Sequence, residues 1–101
     1  MERWREAGYL FTAFETITVS TASIGLTAAT IAGKNLAIIT VESEPVRMRP
    51  DGSTTAPTAS VGHILDDKDV LELDSNAAMS AVRFIRDGAT DATLSCSYGV
   101  G

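Results

Sequence analysis

At 101 residues the chain has the length of a single domain, and its 45% apolar content is that of an ordinary globular protein. Net charge is −5 with only 21% charged residues, which argues against a general nucleic-acid binder, because phosphate binding rests on clustered Lys and Arg. In place of charge there are 12 threonines and 9 serines, which hydrate a surface while favouring extended backbone and turns.

Residues 1–14 hold Trp4, Tyr9, Phe11 and Phe14, four of the six aromatic residues. Their spacing is neither cleanly helical nor cleanly alternating. Each such ring is worth several kcal/mol when buried, at ~25 cal/mol per Å². The segment therefore predicts either a cover over the open end of its own core or an arm docked on a neighbouring subunit. The opening Met-Glu-Arg-Trp-Arg-Glu lacks the basic, then apolar, order of a signal peptide. No apolar run approaches the ~20 residues that span a bilayer, so synthesis and folding in a cytosol are expected.

From Glu15 the pattern is that of strands. Thr16, Thr18 and Ser20 alternate with Ile17, Val19 and Thr21, as in a half-buried strand. Ile24 and Leu26 follow, then a turn at Ala32-Gly33-Lys34-Asn35. Leu36-Ala-Ile-Ile-Thr-Val-Glu42 is nearly continuous in apolar character and predicts a central strand, ended by Pro45. Val46 and Met48 then alternate with Arg47 and Arg49, one face inward and one charged face outward. Pro50-Asp51-Gly52 signals a tight turn with glycine at positive φ, and residues 53–60 are loop by composition.

A short strand is expected over residues 61–65, and Asp66-Asp67-Lys68-Asp69 makes the next turn. In Val70-Leu-Glu-Leu-Asp74, Leu71 and Leu73 alternate with Val70, Glu72 and Asp74. Ser75 is placed to cap a short helix over residues 76–80, since its hydroxyl can accept amides of the first turn. The last twenty residues read as a closing β-hairpin. Asp87 and Gly88 open its connection, and Ala92, Leu94, Cys96 and Tyr98 share one face of the final strand. Cys96, the only cysteine, excludes an intrachain disulfide and predicts a buried, unreactive thiol. Seven or eight short strands with turn punctuation imply an all-β fold. The expected form is a single small β-sandwich or jelly-roll-like barrel over residues 15–101, with an N-terminal arm or short helix over 1–14.

Two chemical constellations can be tested. His63 with Asp66, Asp67 and Asp69 has the donor types for zinc or calcium, but there is no second histidine and no glycine-bearing calcium loop. Paired acidic residues before a lysine are the pattern of a solvated hairpin turn. Ser60 or Ser75 with His63 would need a third orienting group, and no Gly-x-Ser-x-Gly elbow or phosphate loop is present. No catalytic residue, metal or cofactor is assigned. Arg47, Arg49, Arg83 and Arg86 suit surface or interface ion pairs better than a phosphate site, and His63 suits a rim or interface position.

The segments Leu36-Ala-Ile-Ile-Thr-Val-Glu42, Val46-Arg-Met-Arg-Pro-Asp-Gly52, Ala56-Pro-Thr-Ala-Ser-Val-Gly-His63, Asp69-Val-Leu-Glu-Leu73 and Phe84-Ile-Arg-Asp-Gly-Ala-Thr-Asp-Ala-Thr-Leu-Ser95 follow one another in a telling order. Together, over residues 16–99, the chain resembles small β-rich virion structural proteins of tailed bacteriophages. The resemblance implies a non-enzymatic virion component, foremost a capsid decoration or cement protein that binds and stabilises neighbouring capsid subunits. Its partners would be the major capsid protein or other virion proteins, with homo-oligomers in the assembly and neither specific nucleic acid nor membrane. It would be assembled in the host cytoplasm and reside in the virion. Trp4, Tyr9, Phe11, Phe14, Arg47, Arg49 and His63 are the candidate interface residues. A neck or tail structural protein and a surface glycan-binding β-sandwich are the alternatives.

Overall fold

A computed structural model describes residues 10–51, 57, 58 and 60–101. Among these residues seven strands, β1 (Leu10–Val19), β2 (Leu36–Glu42), β3 (Val46–Arg49), β4 (His63–Leu65), β5 (Val70–Leu73), β6 (Arg83–Arg86) and β7 (Ala92–Val100), are joined with two short helices, α1 (Ala28–Ile31) and α2 (Asn76–Ala81). Among the described residues the strands form two antiparallel sheets, a four-stranded one in the order β1-β7-β2-β5 and a three-stranded one in the order β4-β3-β6. The mostly-β, sandwich-like architecture expected from the sequence is what the chain forms.

Alternation decides which side chains meet between the sheets. Ile17 and Val19 of β1, Ala37, Ile39 and Val41 of β2, and Ala92, Leu94, Cys96 and Tyr98 of β7 point inward from one sheet. Val46 and Met48 of β3 and Phe84 of β6 point inward from the other. Met79 of α2 and Val82 after it close one side of the core, and Leu26 and Ile31 add to it. The strand over Leu36–Glu42 is internal, between β7 and β5, as its apolar run requires.

Strand β1 begins at Leu10, five residues before the Glu15 start expected from the sequence, so Phe11 and Phe14 are part of the sheet. Residues 1–9, with Trp4 and Tyr9, lie outside the described residues, as does Gly52 of the expected tight turn. A register shift between Phe11 and Ala13 interrupts the pairing of β1 with β7. Gly99 sits at this irregularity: a Cβ there would stand 2.8 Å from the Leu10 carbonyl oxygen, so only glycine permits the approach of the two backbones.

The closing hairpin is not formed. β6 pairs with β3 in the three-stranded sheet, while β7 lies in the other sheet with β1 and β2 as its two neighbours. Residues 87–91 therefore cross between sheets. The reason is pairing capacity: β7 has both edges occupied, so no ladder position remains for β6.

Polar side chains fix the helices. Ser75 accepts the Ala78 N–H at 3.1 Å and caps α2, as expected. Asn76 donates to the carbonyls of Ile31 and Lys34, both at 2.9 Å, and so satisfies the free end of α1. The other end of α1 is held from β1, where Glu15 accepts the Thr27 N–H at 3.2 Å and the Thr27 hydroxyl at 2.6 Å.

Candidate functional site

The outward face of the three-stranded sheet gathers Arg47 and Arg49, while His63 lies at the rim, opposite inward-facing Met48. Pairing places Arg47 of β3 directly between Ile64 of β4 and Ile85 of β6, and Arg49 opposite Arg83. Opposed residues in an antiparallel pair share a face, so two isoleucines flank one arginine and a second row of arginines follows. Ile64 is 49% exposed and nearby Val61 is 50% exposed.

The arginines of β3 are held by aspartates. Arg47 Nε donates to Asp87 Oδ1 at 2.7 Å, and its Nη1 reaches the Gly62 carbonyl at 3.2 Å, tying both flanking strands to β3. Arg49 makes a two-point contact with Asp51, Nε to Oδ1 at 2.9 Å and Nη2 to Oδ2 at 2.7 Å. That hydrogen bonding holds the Asp51 carboxyl below its ordinary range and pushes the Arg49 guanidinium up. Arg86 pairs with Asp91 at 2.7 Å; a hydrogen bond from Ser20, then the one from Arg86, lowers the Asp91 pKa. Of the four arginines expected in ion pairs, Arg47, Arg49 and Arg86 form them with aspartates.

Beside Arg49 lies an open hollow of about 540 Å³ lined by Arg49, Pro50, Asp51, Val61, Gly62 and His63. His63 is exposed, at the end of β4 opposite Met48. Gly62 shapes the wall: its φ is +137°, and a Cβ would come 3.1 Å from the Met48 carbonyl oxygen. This conformation confines regular pairing to His63–Leu65, two residues short of the strand expected over 61–65. What the hollow presents is an ion pair flanked by an imidazole and a valine side chain.

The other candidates are dispersed. Phe14 is 62% exposed on the outward face of β1, and Phe11 is half-buried beside Gly99. No group of three or more His, Cys, Asp or Glu residues that could hold a metal ion occurs among the described residues. Ser75 spends its hydroxyl on the α2 cap, and Ser60 is exposed, its N–H donating to Thr58 Oγ1 at 3.2 Å. Cys96 is fully buried, and burial pushes its thiol up to about 12.

Two features of the surface were not read from the sequence. Ile64 and Ile85 join the arginine face only through the pairing of β4 and β6 with β3, which no local pattern announces. The outward side of the four-stranded sheet carries a row of Thr16, Ser95, Thr40 and Val70 next to Phe14, Ser97 and Ile38. Extending the alternation back from Glu15 through Ala13 and Phe11 was the signal for its β1 portion. No family model, curated protein or solved structure matches the chain.

Proposed function

We propose that this chain is a non-enzymatic structural component of a tailed-phage virion, a capsid decoration or cement protein that binds and stabilises neighbouring capsid subunits. The observation that carries the reading is the outward face of the three-stranded sheet, with Ile64, Arg47 and Ile85 in one row and Arg49 in the next, bordered by the hollow that Val61 and His63 line. Apolar side chains interleaved with arginine are typical of the centre of protein interfaces. Arginines already paired with Asp87 and Asp51 do not leave a lone charge to be stripped of water on docking. Half-exposed Ile64 and Val61 have apolar area to lose to a partner.

The capsid as partner comes from the sequence resemblance over residues 16–99. In that role the partners are the major capsid protein or other virion proteins, the site of assembly is the host cytoplasm, and the aromatic start with Trp4 and Tyr9 anchors the domain to its neighbour. Many copies acting together need little affinity per contact. A neck or tail position would use the same face.

The test is to add purified protein to particles assembled without it. Ile64→Glu is expected to lower occupancy roughly tenfold or more, as loss of an interface anchor does. Its melting temperature should stay near that of the parent, since Ile64 is half exposed. Undiminished occupancy would count against the face. The glycan-binding alternative has one observation in its favour, the exposed Phe14 ring beside Ser97 on a rigid sheet. Sugar binding that Phe14→Ala abolishes would favour it.

A further inference from the structure

The sheet edges differ in what they offer a new strand. β4 has three residues and β5 four, and β6 is bridged by Ile24, whose N–H and carbonyl bond Phe84 at 2.8 Å each. β1 is different: ten residues long, with β7 as its single neighbour among the described strands. Past the irregularity at Phe11 and Ala13, residues 13–19 pair with β7 in unbroken register. The strand contains neither Lys nor Pro, the residues that commonly blunt exposed edges. Its one charge, Glu15, lies on the inner side of the strand, where Tyr98 and Thr27 hold it.

We propose that β1 is a self-pairing edge, through which two copies of this chain join antiparallel about a twofold axis into one continuous sheet. Charge selects the place. Each copy carries a net −5, so two copies repel except where no charge is displayed. The exposed positions of β1, Leu10, Thr12, Phe14, Thr16 and Thr18, are all uncharged. So are Ser97, Ser95 and Thr93, which lie opposite Phe14, Thr16 and Thr18 on β7. An antiparallel strand pair is self-complementary, as a twofold interface must be. An axis at Thr16 leaves the irregular end outside the pairing and sets the Phe14 ring against the partner's Thr18, an aromatic and β-branched pair of the kind that stabilises sheets. The inference goes beyond the virion reading and stands without it, because it concerns the isolated chain in solution.

The test is analytical ultracentrifugation of the full chain across a concentration series. A species of twice 10.6 kDa is expected. Thr16→Lys would set two like charges against each other across the axis and weaken the dimer by roughly tenfold or more. Phe14→Lys should weaken it similarly, and adding Thr18→Glu to that variant should restore it, since opposite charges then face each other. Hydrogen exchange on the unmodified protein needs no substitution: β1 amides should gain protection as concentration rises. A chain that stays monomeric at every concentration overturns the proposal. So does a dimer indifferent to Thr16→Lys, or a Phe14→Lys defect that Thr18→Glu does not repair. Protection of β1 that arises only when a different protein is added would assign the edge to a foreign strand and also overturn it.

Discussion

The Tyr98 hydroxyl donates to the Glu15 carboxylate at 2.5 Å, joining residues 83 positions apart in the chain. The same carboxylate holds Thr27, so the bond links β7, β1 and the start of α1. A hydrogen bond to an ionised partner is worth about 1.5–3 kcal/mol. Tyr98→Phe is therefore expected to lower stability by about 1.5 kcal/mol or more, read as the urea denaturation midpoint. An unchanged midpoint would show that the bond contributes nothing to the fold.

Alkaline pH should destabilise the protein. Burial raises the Cys96 thiol from 9.0 to about 12, and burial followed by the hydrogen bond to Glu15 raises the Tyr98 phenol. Both groups are neutral when protonated, and the native state keeps protons that the unfolded chain releases. Their contribution is fully present below the unfolded pKa and is lost as pH rises toward the folded value. For the thiol the loss is up to about 1.4 kcal/mol per pH unit between about pH 9 and 11. Cys96→Ala should flatten that part of the slope. Stability independent of pH in this window would contradict the burial of Cys96, as would rapid labelling of the native thiol.

Gly62→Ala should cost about 1–3 kcal/mol, because φ of +137° and the Met48 carbonyl at 3.1 Å both disfavour a Cβ. It should also disturb the hollow beside Arg49 and His63. Chemical denaturation of the variant checks the first effect, and its occupancy on particles the second. An alanine variant equal to the parent in both would remove Gly62 from the account of this wall.

Strand periodicity carried much of the fold. The buried face of β7, the in-and-out alternation of Val46, Arg47, Met48 and Arg49, and the Ser75 cap each depend on neighbours a few residues away. Sheet membership does not. Asp87-Gly88 between two alternating segments looks like a hairpin turn, yet β6 is drawn to β3 because both sides of β7 are taken. The start of β1 was obscured because three aromatic residues in 9–14 read as an arm and the register shift near Thr12 breaks the pairing locally. At the candidate site, the charged outward face of β3 was legible, while the isoleucines flanking Arg47 come from strands 17 and 38 residues further on.

Removal of residues 1–9 should leave the β domain folded, since it keeps all of β1 from Leu10 to Val19. Removal through residue 14 would instead take half of β1 and its pairing with β7. In the proposed role the shorter truncation keeps a cooperative thermal transition but loses Trp4 and Tyr9 and incorporates poorly into particles. A truncated chain present at full occupancy would defeat the anchoring role of the segment.

Quantitative mass spectrometry of purified particles, produced by a genome that encodes this chain, tests the virion role most directly. The expected result is this chain in many copies per particle, at a fixed ratio to the major capsid protein that survives repeated purification. Its absence from particles, with the protein recovered only in the soluble fraction of the infected cell, would contradict the role outright.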